Sequence, residues 1–215
     1  QNSKKIFKIV SLPIKLVKSQ IDSLTKEYQI DGVKIGLILD KLLVNEIIKI
    51  LKSFKNIPIV IDPIYQSSTK KVFINKKDYI YIHKKFSALN PHFTPNLAEA
   101  KVMSMIKNYR TANIEEITKA IIKKYKSTFI ITGGDEKGKY SSDYLILKNK
   151  RLLFKSKKIK KSNTHGSGCC FSTALTVFLA RGLRIEEAVK KSKAYVRKKI
   201  KNSPNFGLSY GPVIR

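Results

Sequence analysis

Cysteine is nearly absent from this 215-residue chain: there are two, Cys169 and Cys170, adjacent in sequence. Neighbouring cysteines cannot form an ordinary framework disulfide, so a secreted, disulfide-stapled domain is excluded and a reducing, cytoplasmic compartment is expected. Acidic residues are also scarce, 15 against 44 Lys and Arg. No apolar run approaches the roughly 18–20 residues of a membrane span. The opening Gln1-Asn2-Ser3-Lys4-Lys5 lacks the charged-then-apolar layout of a secretory signal. No second Cys/His pair lies at ligand spacing, which argues against a zinc site. Internal repeats and low-complexity linkers are missing too, so nothing marks a domain boundary, and one domain over residues 1–215 is expected.

What is present is charge and apolar residues. The net charge is +29, and 42% of residues are hydrophobic, which excludes a disordered tail protein. A chain of this length can bury roughly 70% of the surface that its unfolded form exposes. Strong basicity is one mark of a nucleic-acid binder. Only six of the 44 basic residues are Arg, however, and nucleic-acid readers favour Arg for bidentate contacts. The 38 lysines are spread over almost every helix and strand, with Ile and Asn also abundant. This reads as substitution bias rather than a specific nucleic-acid footprint. The field would still attract phosphorylated small molecules.

Periodicity gives the element order. Ser11-Leu12-Pro13 reads as a helix opening with Ser11 as N-cap. Ile14, Val17, Ile21, Leu24 and Tyr28 follow as one apolar helical stripe. The apolar runs 32–39 and 57–61 read as buried parallel strands. Between them Asp40 is placed to cap a helix with the stripe Leu43, Ile47, Ile50 and Leu51. Residues 66–85 read as a lysine-rich loop with a short helix, and 88–93 as a third strand. Helices are expected over 97–107 and 114–125, with a fourth strand at 128–131. The runs 144–147 and 152–154 flank Lys148-Asn149-Lys150 as a hairpin. Helices over 168–180 and 185–199 close the chain. Such alternation means a parallel sheet covered on both faces, with ligands bound beyond the carboxyl ends of its strands.

Those ends carry the chemistry. Asp62 ends the second strand, Asn96 and Glu99 follow the third, and Thr132-Gly133-Gly134-Asp135 follows the fourth. Asn163-Thr164-His165-Gly166-Ser167-Gly168-Cys169 precedes the helix over 168–180. Glycines before a helix let successive N–H groups face one anion, and the helix dipole adds to them. Cys169 falls in the first turn, where its pKa should be lowered toward a reactive thiolate able to act as general base. Equally, it is read as a small buried helix residue. Cys170 points about 100° away, toward the core. Asn96 and Glu99 are spaced to organise Mg²⁺ through water and phosphate, or simply to form a capping box. His165 and Asp143 are ambiguous taken singly.

Several blocks occur together and in order: Val33-Lys34-Ile35-Gly36-Leu37, Asp62-Pro63-Ile64, Thr94-Pro95-Asn96-Leu97-Ala98-Glu99-Ala100, Gly133-Gly134 with Ser142-Asp143-Tyr144-Leu145, and the 163–169 block. With the closing Ser209-Tyr210-Gly211-Pro212-Val213, they resemble the hydroxymethylpyrimidine/phosphomethylpyrimidine kinases of thiamine biosynthesis, over essentially the whole chain. The resemblance implies a three-layer α/β/α ribokinase-like fold with a mostly parallel central sheet. It implies ATP-dependent phosphorylation of 4-amino-5-hydroxymethyl-2-methylpyrimidine, then of its monophosphate. It assigns an anion hole to Gly166, Ser167 and Gly168 and the base to Cys169, where most ribokinase-like enzymes have Asp. Asn96 and Glu99 match the motif that organises Mg²⁺ and phosphates. Asp62, Thr132 and Gly134 join the nucleotide-phosphate set, while Leu37 and Ile64 match the pyrimidine pocket. ATP and Mg²⁺ are the implied cofactors, and a cytoplasmic homodimer is expected.

The departures from the family are specific. Leu37 stands in place of its usual Met, a volume-conserving change. Thr132 and Asp135 stand where many members have Lys and His. Tyr65 to Lys70 replaces an Ala-Lys-Ser-Gly run over the substrate. The family's first strand and its Gly-rich loop would precede Gln1, so an N-terminally incomplete kinase domain is expected. A pyridoxal kinase-like enzyme, and an inactive kinase serving as a binding protein, are the alternatives.

Overall fold

The computed structural model describes residues 6–67, 71–109, 111–134, 138–159 and 164–203. Six strands form one sheet in sequential order: β1 (Val33–Ile35), β2 (Ile59–Ile61), β3 (His92–Phe93), β4 (Thr128–Ile131), β5 (Tyr140–Ile146) and β6 (Arg151–Lys157). β1 to β4 pair in parallel, and β5 and β6 add an antiparallel hairpin. Seven helices connect or follow them among the described residues: α1 (Ile14–Glu27), α2 (Leu42–Ser53), α3 (Lys76–Phe86), α4 (Leu97–Ser104), α5 (Ile114–Lys124), α6 (Ser167–Ala180) and α7 (Ile185–Asn202).

Strand alternation sorts the core into two layers. In β2, Ile59 and Ile61 face one core while Val60 faces the other, and Phe129 and Ile131 oppose Ile130 in the same way along β4. Period-two side-chain direction in short, wholly apolar strands requires cover on both faces. The first core is roofed by α2, α3, α4 and α5, and holds a ring series running from Tyr65 and Tyr79 through His83 and Phe93 to Tyr125 and Phe129. The second is roofed by α6 and α7. α6 approaches the sheet closely at Gly32, where a Cβ would lie 3.3 Å from both Ala180 Cβ and Thr176 Cγ2.

Several local expectations are corrected. Pro13, not Ser11, occupies the N-cap of α1, and no side chain caps it. The α1 stripe forms a helix face, but no residue of α1 is buried, and Leu24 and Tyr28 are exposed. α2 buries Val44 and Leu51 and packs Ile47 and Ile48 against the same core, so Ile47 and Leu51 stand as expected while Val44 and Ile48 take the places of Leu43 and Ile50. Asp40 does accept a hydrogen bond from Leu42 N (2.8 Å). The lysine-rich stretch holds a full eleven-residue helix, α3, capped by Asn75, whose side chain accepts from Asp78 N at 2.9 Å. The third strand shrinks to two residues because Ser87–Leu89 turns as a 3₁₀ helix ending on left-handed Asn90. α4 stops at Ser104, where Met105 turns left-handed. The hairpin is longer than its apolar runs, since β5 and β6 carry polar residues on their open side. Gln1 to Lys5, Ser68 to Lys70, Asp135, Asn163 and the 209–213 block lie outside the described residues. No described helix is long and apolar enough to cross a membrane.

Candidate active site

The carboxyl ends of the parallel strands meet the N-termini of α4 and α6. Asp62 directly follows β2, its N–H donating to Ile35 O (2.9 Å) so that the β1–β2 pairing continues to the edge. Its side chain is buried, 7% exposed. Ser172 Oγ donates to Asp62 Oδ2 (3.1 Å), the Cys169 thiol hydrogen-bonds the same carboxylate, and Lys34 Nζ lies 3.8 Å from Oδ2. Burial raises the Asp62 pKa against the opposing pull of Lys34, Cys169 and Ser172. Cys169 and Ser172 share a face because they stand one helical turn apart on α6.

The start of α6 has the expected form. Gly166 takes the left-handed conformation (φ 81°) at the N-cap, where a side chain would be strained. Ser167 N bonds Thr164 O, and the first helical bond runs from Cys170 N to Gly166 O. The N–H groups of Gly168 and Cys169 therefore precede the helical ladder and lack an intrahelical acceptor. A Cβ on Gly168 would meet nothing within 4 Å, so the space before this turn is open to a ligand.

Cys169 departs from expectation. Although the residue is exposed, burial and the adjoining Asp62 carboxylate push its thiol up to about 11, outweighing Lys34. Burial first, and then the neighbouring anion, disfavour the thiolate that a helix N-terminus alone would favour. Cys170 is half-buried and packs against the α6–α7 core, as expected.

Asn96 and Glu99 form a complete capping box on α4. Asn96 Oδ1 accepts from Glu99 N (2.9 Å), and Glu99 Oε2 accepts from Asn96 N (2.8 Å). Glu99 is 5% exposed, and its Oε1 accepts from Tyr65 N (3.2 Å). One carboxylate thus ties α4 to the segment after Asp62-Pro63-Ile64, which turns back through a Gln66–Val72 bridge. Among the described residues no three His, Cys, Asp or Glu side chains gather around one point. The oxygen donors at this edge are the carboxylates of Asp62 and Glu99 and the Asn96 amide, of the hard-oxygen kind that could hold Mg²⁺ together with phosphate and water oxygens.

Thr132 forms a parallel bridge to Asn96, its N–H donating to Pro95 O (2.9 Å), so these two expected residues are neighbours. Gly134 is exposed beside it. Leu37 lies beyond the end of β1 and is exposed, whereas Ile64 is half-buried. Lys34 and Ser172 are additions to the expected set. Spacing could have found Ser172, three residues after Cys169, but Lys34 carries no sequence signal of its role.

Solved proteins of similar structure define the class. Pyridoxal kinase from Staphylococcus aureus in complex with ADP matches with a TM-score of 0.82 at 26% identity, over 96% of this chain and 75% of its own. Phosphomethylpyrimidine kinase from Clostridium difficile matches with a TM-score of 0.74 at 28% identity, over 92% of this chain and 81% of its own. The fold is ribokinase-like, and the protein is a small-molecule phosphotransferase. Within that class the sequence profile described as phosphomethylpyrimidine kinase matches residues 1–214, and the chain belongs to that family. The hydroxymethylpyrimidine/phosphomethylpyrimidine kinase of Aquifex aeolicus is 27% identical over 210 residues, 98% of this chain and 82% of the relative.

Proposed function

We propose that the protein transfers the γ-phosphoryl group of ATP to the hydroxymethyl of 4-amino-5-hydroxymethyl-2-methylpyrimidine, and then phosphorylates the monophosphate to the diphosphate. The observation that carries this reading is the family match over residues 1–214. In this reading Cys169 takes the hydroxyl proton, and the turn of Gly166, Ser167 and Gly168 holds the transferring phosphoryl through the backbone N–H groups of Gly168 and Cys169, which precede the helical ladder. Phosphoryl transfer depends chiefly on positioning and charge stabilisation, which fixed backbone donors supply. Thr132 and Gly134 meet the nucleotide phosphates, while Leu37 and Ile64 line the pyrimidine pocket. Asp62, buried between Lys34, Ser172 and Cys169, faces the reacting groups. Asn96 and Glu99 organise Mg²⁺ through water or phosphate, and the bound ion would neutralise phosphate charge. We take the protein as a cytoplasmic homodimer whose basic charge serves no specific nucleic acid.

A pyridoxal kinase activity is the second reading, favoured by the likeness to the Staphylococcus aureus enzyme. Steady-state kinetics with both alcohols separate the two. kcat/KM for the pyrimidine alcohol is expected to exceed that for pyridoxal, and the reverse order would overturn the assignment.

Glu99 offers a second check. Loss of a cap costs about 1 kcal/mol and leaves chemistry alone. Glu99→Gln is therefore expected to lower kcat and raise the Mg²⁺ requirement, beyond any change in melting temperature. A parent-like rate at saturating Mg²⁺ would reduce Glu99 to its capping bonds.

A further inference from the structure

We propose that the buried ion pair Asp143–Lys193 is a positioning device for ATP, holding the Gly133-Gly134 turn in the orientation that receives nucleotide phosphate. The inference rests on the reading of Thr132 and Gly134 as nucleotide-phosphate residues.

Asp143 stands on β5 and Lys193 on α7, fifty residues apart, and their side chains are 6% and 11% exposed. Lys193 Nζ donates to Asp143 Oδ2 at 2.6 Å, and also to Ser141 O (3.2 Å) and Ser141 Oγ (3.4 Å). The ammonium is thus held by three acceptors on one strand. The other carboxylate oxygen, Asp143 Oδ1, accepts from the backbone N–H of Gly133 at 3.0 Å. One side chain therefore ties the turn after β4 to the hairpin strand and, through Lys193, to α7.

This contact decides which backbone groups face a ligand. The Gly133 N–H is occupied inward, on a buried residue, so it is withdrawn from any phosphate. Gly134 is exposed, and a Cβ there would meet nothing within 4 Å, so its peptide is open to approach. On the other side Thr132 is fixed by its bridge to Asn96. Thr132 and Gly133 are thus both held, and Gly134, next to them, is open to a ligand. A buried ion pair contributes little net stability, since desolvation offsets attraction. Its value here lies in direction: a fixed carboxylate sets the peptide plane at Gly133, and a turn left to choose that plane would meet phosphate less often in the productive geometry.

The test uses the full chain and ADP as probe. ADP affinity by calorimetry, KM for ATP, KM for the pyrimidine alcohol and melting temperature would be measured for the parent, Asp143→Asn, Lys193→Met and Lys193→Arg. Asp143→Asn and Lys193→Met are expected to weaken ADP binding and raise KM for ATP by about tenfold or more, with KM for the pyrimidine near the parent value. Lys193→Arg, which keeps the charge but changes its reach, should fall between. Lower melting temperatures with parent-like ADP affinity and KM for ATP would overturn the proposal, because a merely structural pair moves only stability. Should the first two variants fail to fold, Lys193→Arg decides alone, and unchanged ADP affinity there overturns it. A parent that binds no ADP would overturn the nucleotide reading, and this inference with it. A parent that binds ADP and phosphorylates the pyrimidine, with ADP affinity unmoved in the variants, defeats the inference only.

Discussion

Cys169→Ala is expected to cut kcat on the pyrimidine alcohol by about 10²-fold or more, with KM for ATP little changed. The lower end of the usual range for a general base is appropriate, because positioning supplies much of phosphoryl transfer. The site adds a pH signature. A thiol held at about 11 is protonated at neutral pH, so the active fraction grows with each step toward alkali. kcat should climb from pH 6 to pH 9 instead of levelling near 7. Cys169→Asp should recover part of the rate, since a carboxylate is ionised across this range, and should flatten the profile. Asp62 will raise the new carboxyl somewhat, as one carboxylate does to another. Alkylation is an independent check. In a Cys170→Ala background, iodoacetamide should modify Cys169 more slowly than an ordinary thiol of pKa about 8.5. Asp62→Asn should speed that reaction by removing the anion that opposes the thiolate. Near-parent kcat in Cys169→Ala sinks the assignment, whereas rapid alkylation at neutral pH sinks the account of the thiol.

Acid is expected to destabilise the fold well before the carboxylates titrate. His83 is buried among Tyr79 and Phe93, and burial pushes its pKa down to about 3. His92, at the start of β3, is pushed down to about 4 by the same cause. Neither Nδ1 has a hydrogen-bond partner among the described residues. In the unfolded chain both titrate near 6.5. Below that pH the unfolded state binds protons that the folded state refuses, so stability is full above about 6.5 and falls as pH drops toward the folded values. At pH 5 each histidine costs about 2 kcal/mol, or about 4 kcal/mol together. For a chain of this length that lowers the melting temperature by roughly 10 °C between pH 7 and pH 5. Asp62 acts in the opposite sense, because its raised carboxyl gains a proton in the folded state first. The lowered carboxyls of Glu46, Asp78 and Glu186 lose their contributions as pH falls from the ordinary carboxylate range toward their lower folded values. His83→Phe keeps a ring against Tyr79 and Phe93 and should remove about half of the acid sensitivity. A melting temperature flat from pH 7 to pH 5 would contradict the burial of these two groups as neutral imidazoles.

The architecture was readable because its strands are short and wholly apolar. Ile59-Val60-Ile61 and Phe129-Ile130-Ile131 can only be buried on both faces, and that condition fixes the α/β/α layering. The candidate site's location follows from it, since Asp62, Asn96 and Thr132 come just after parallel strands and Gly166 opens α6 at the same edge. Where local sequence was polar, pattern failed. α3 carries five charged residues in eleven, and only Asn75 with Asp78 three residues later marked its start. The α1 stripe has helical spacing, yet spacing cannot say whether a face meets a partner, and no residue of α1 is buried. Electrostatics was least accessible. The helix-terminus argument for a Cys169 thiolate is locally sound, but burial in the folded chain, and Asp62 approaching from 107 residues away, push the thiol the other way. Lys193 shares with Asp143 no motif, spacing or element, so only the folded chain unites them.

The measurement closest to the central claim is product analysis by ³¹P NMR, with the parent protein, ATP, Mg²⁺ and the pyrimidine alcohol. The account predicts a pyrimidine monophosphate resonance that grows as ATP becomes ADP, followed by the diphosphate, with both slowed about 10²-fold in Cys169→Ala. Conversion of ATP to ADP with no phosphorylated pyrimidine, or product formation in Cys169→Ala at the parent rate, would contradict it.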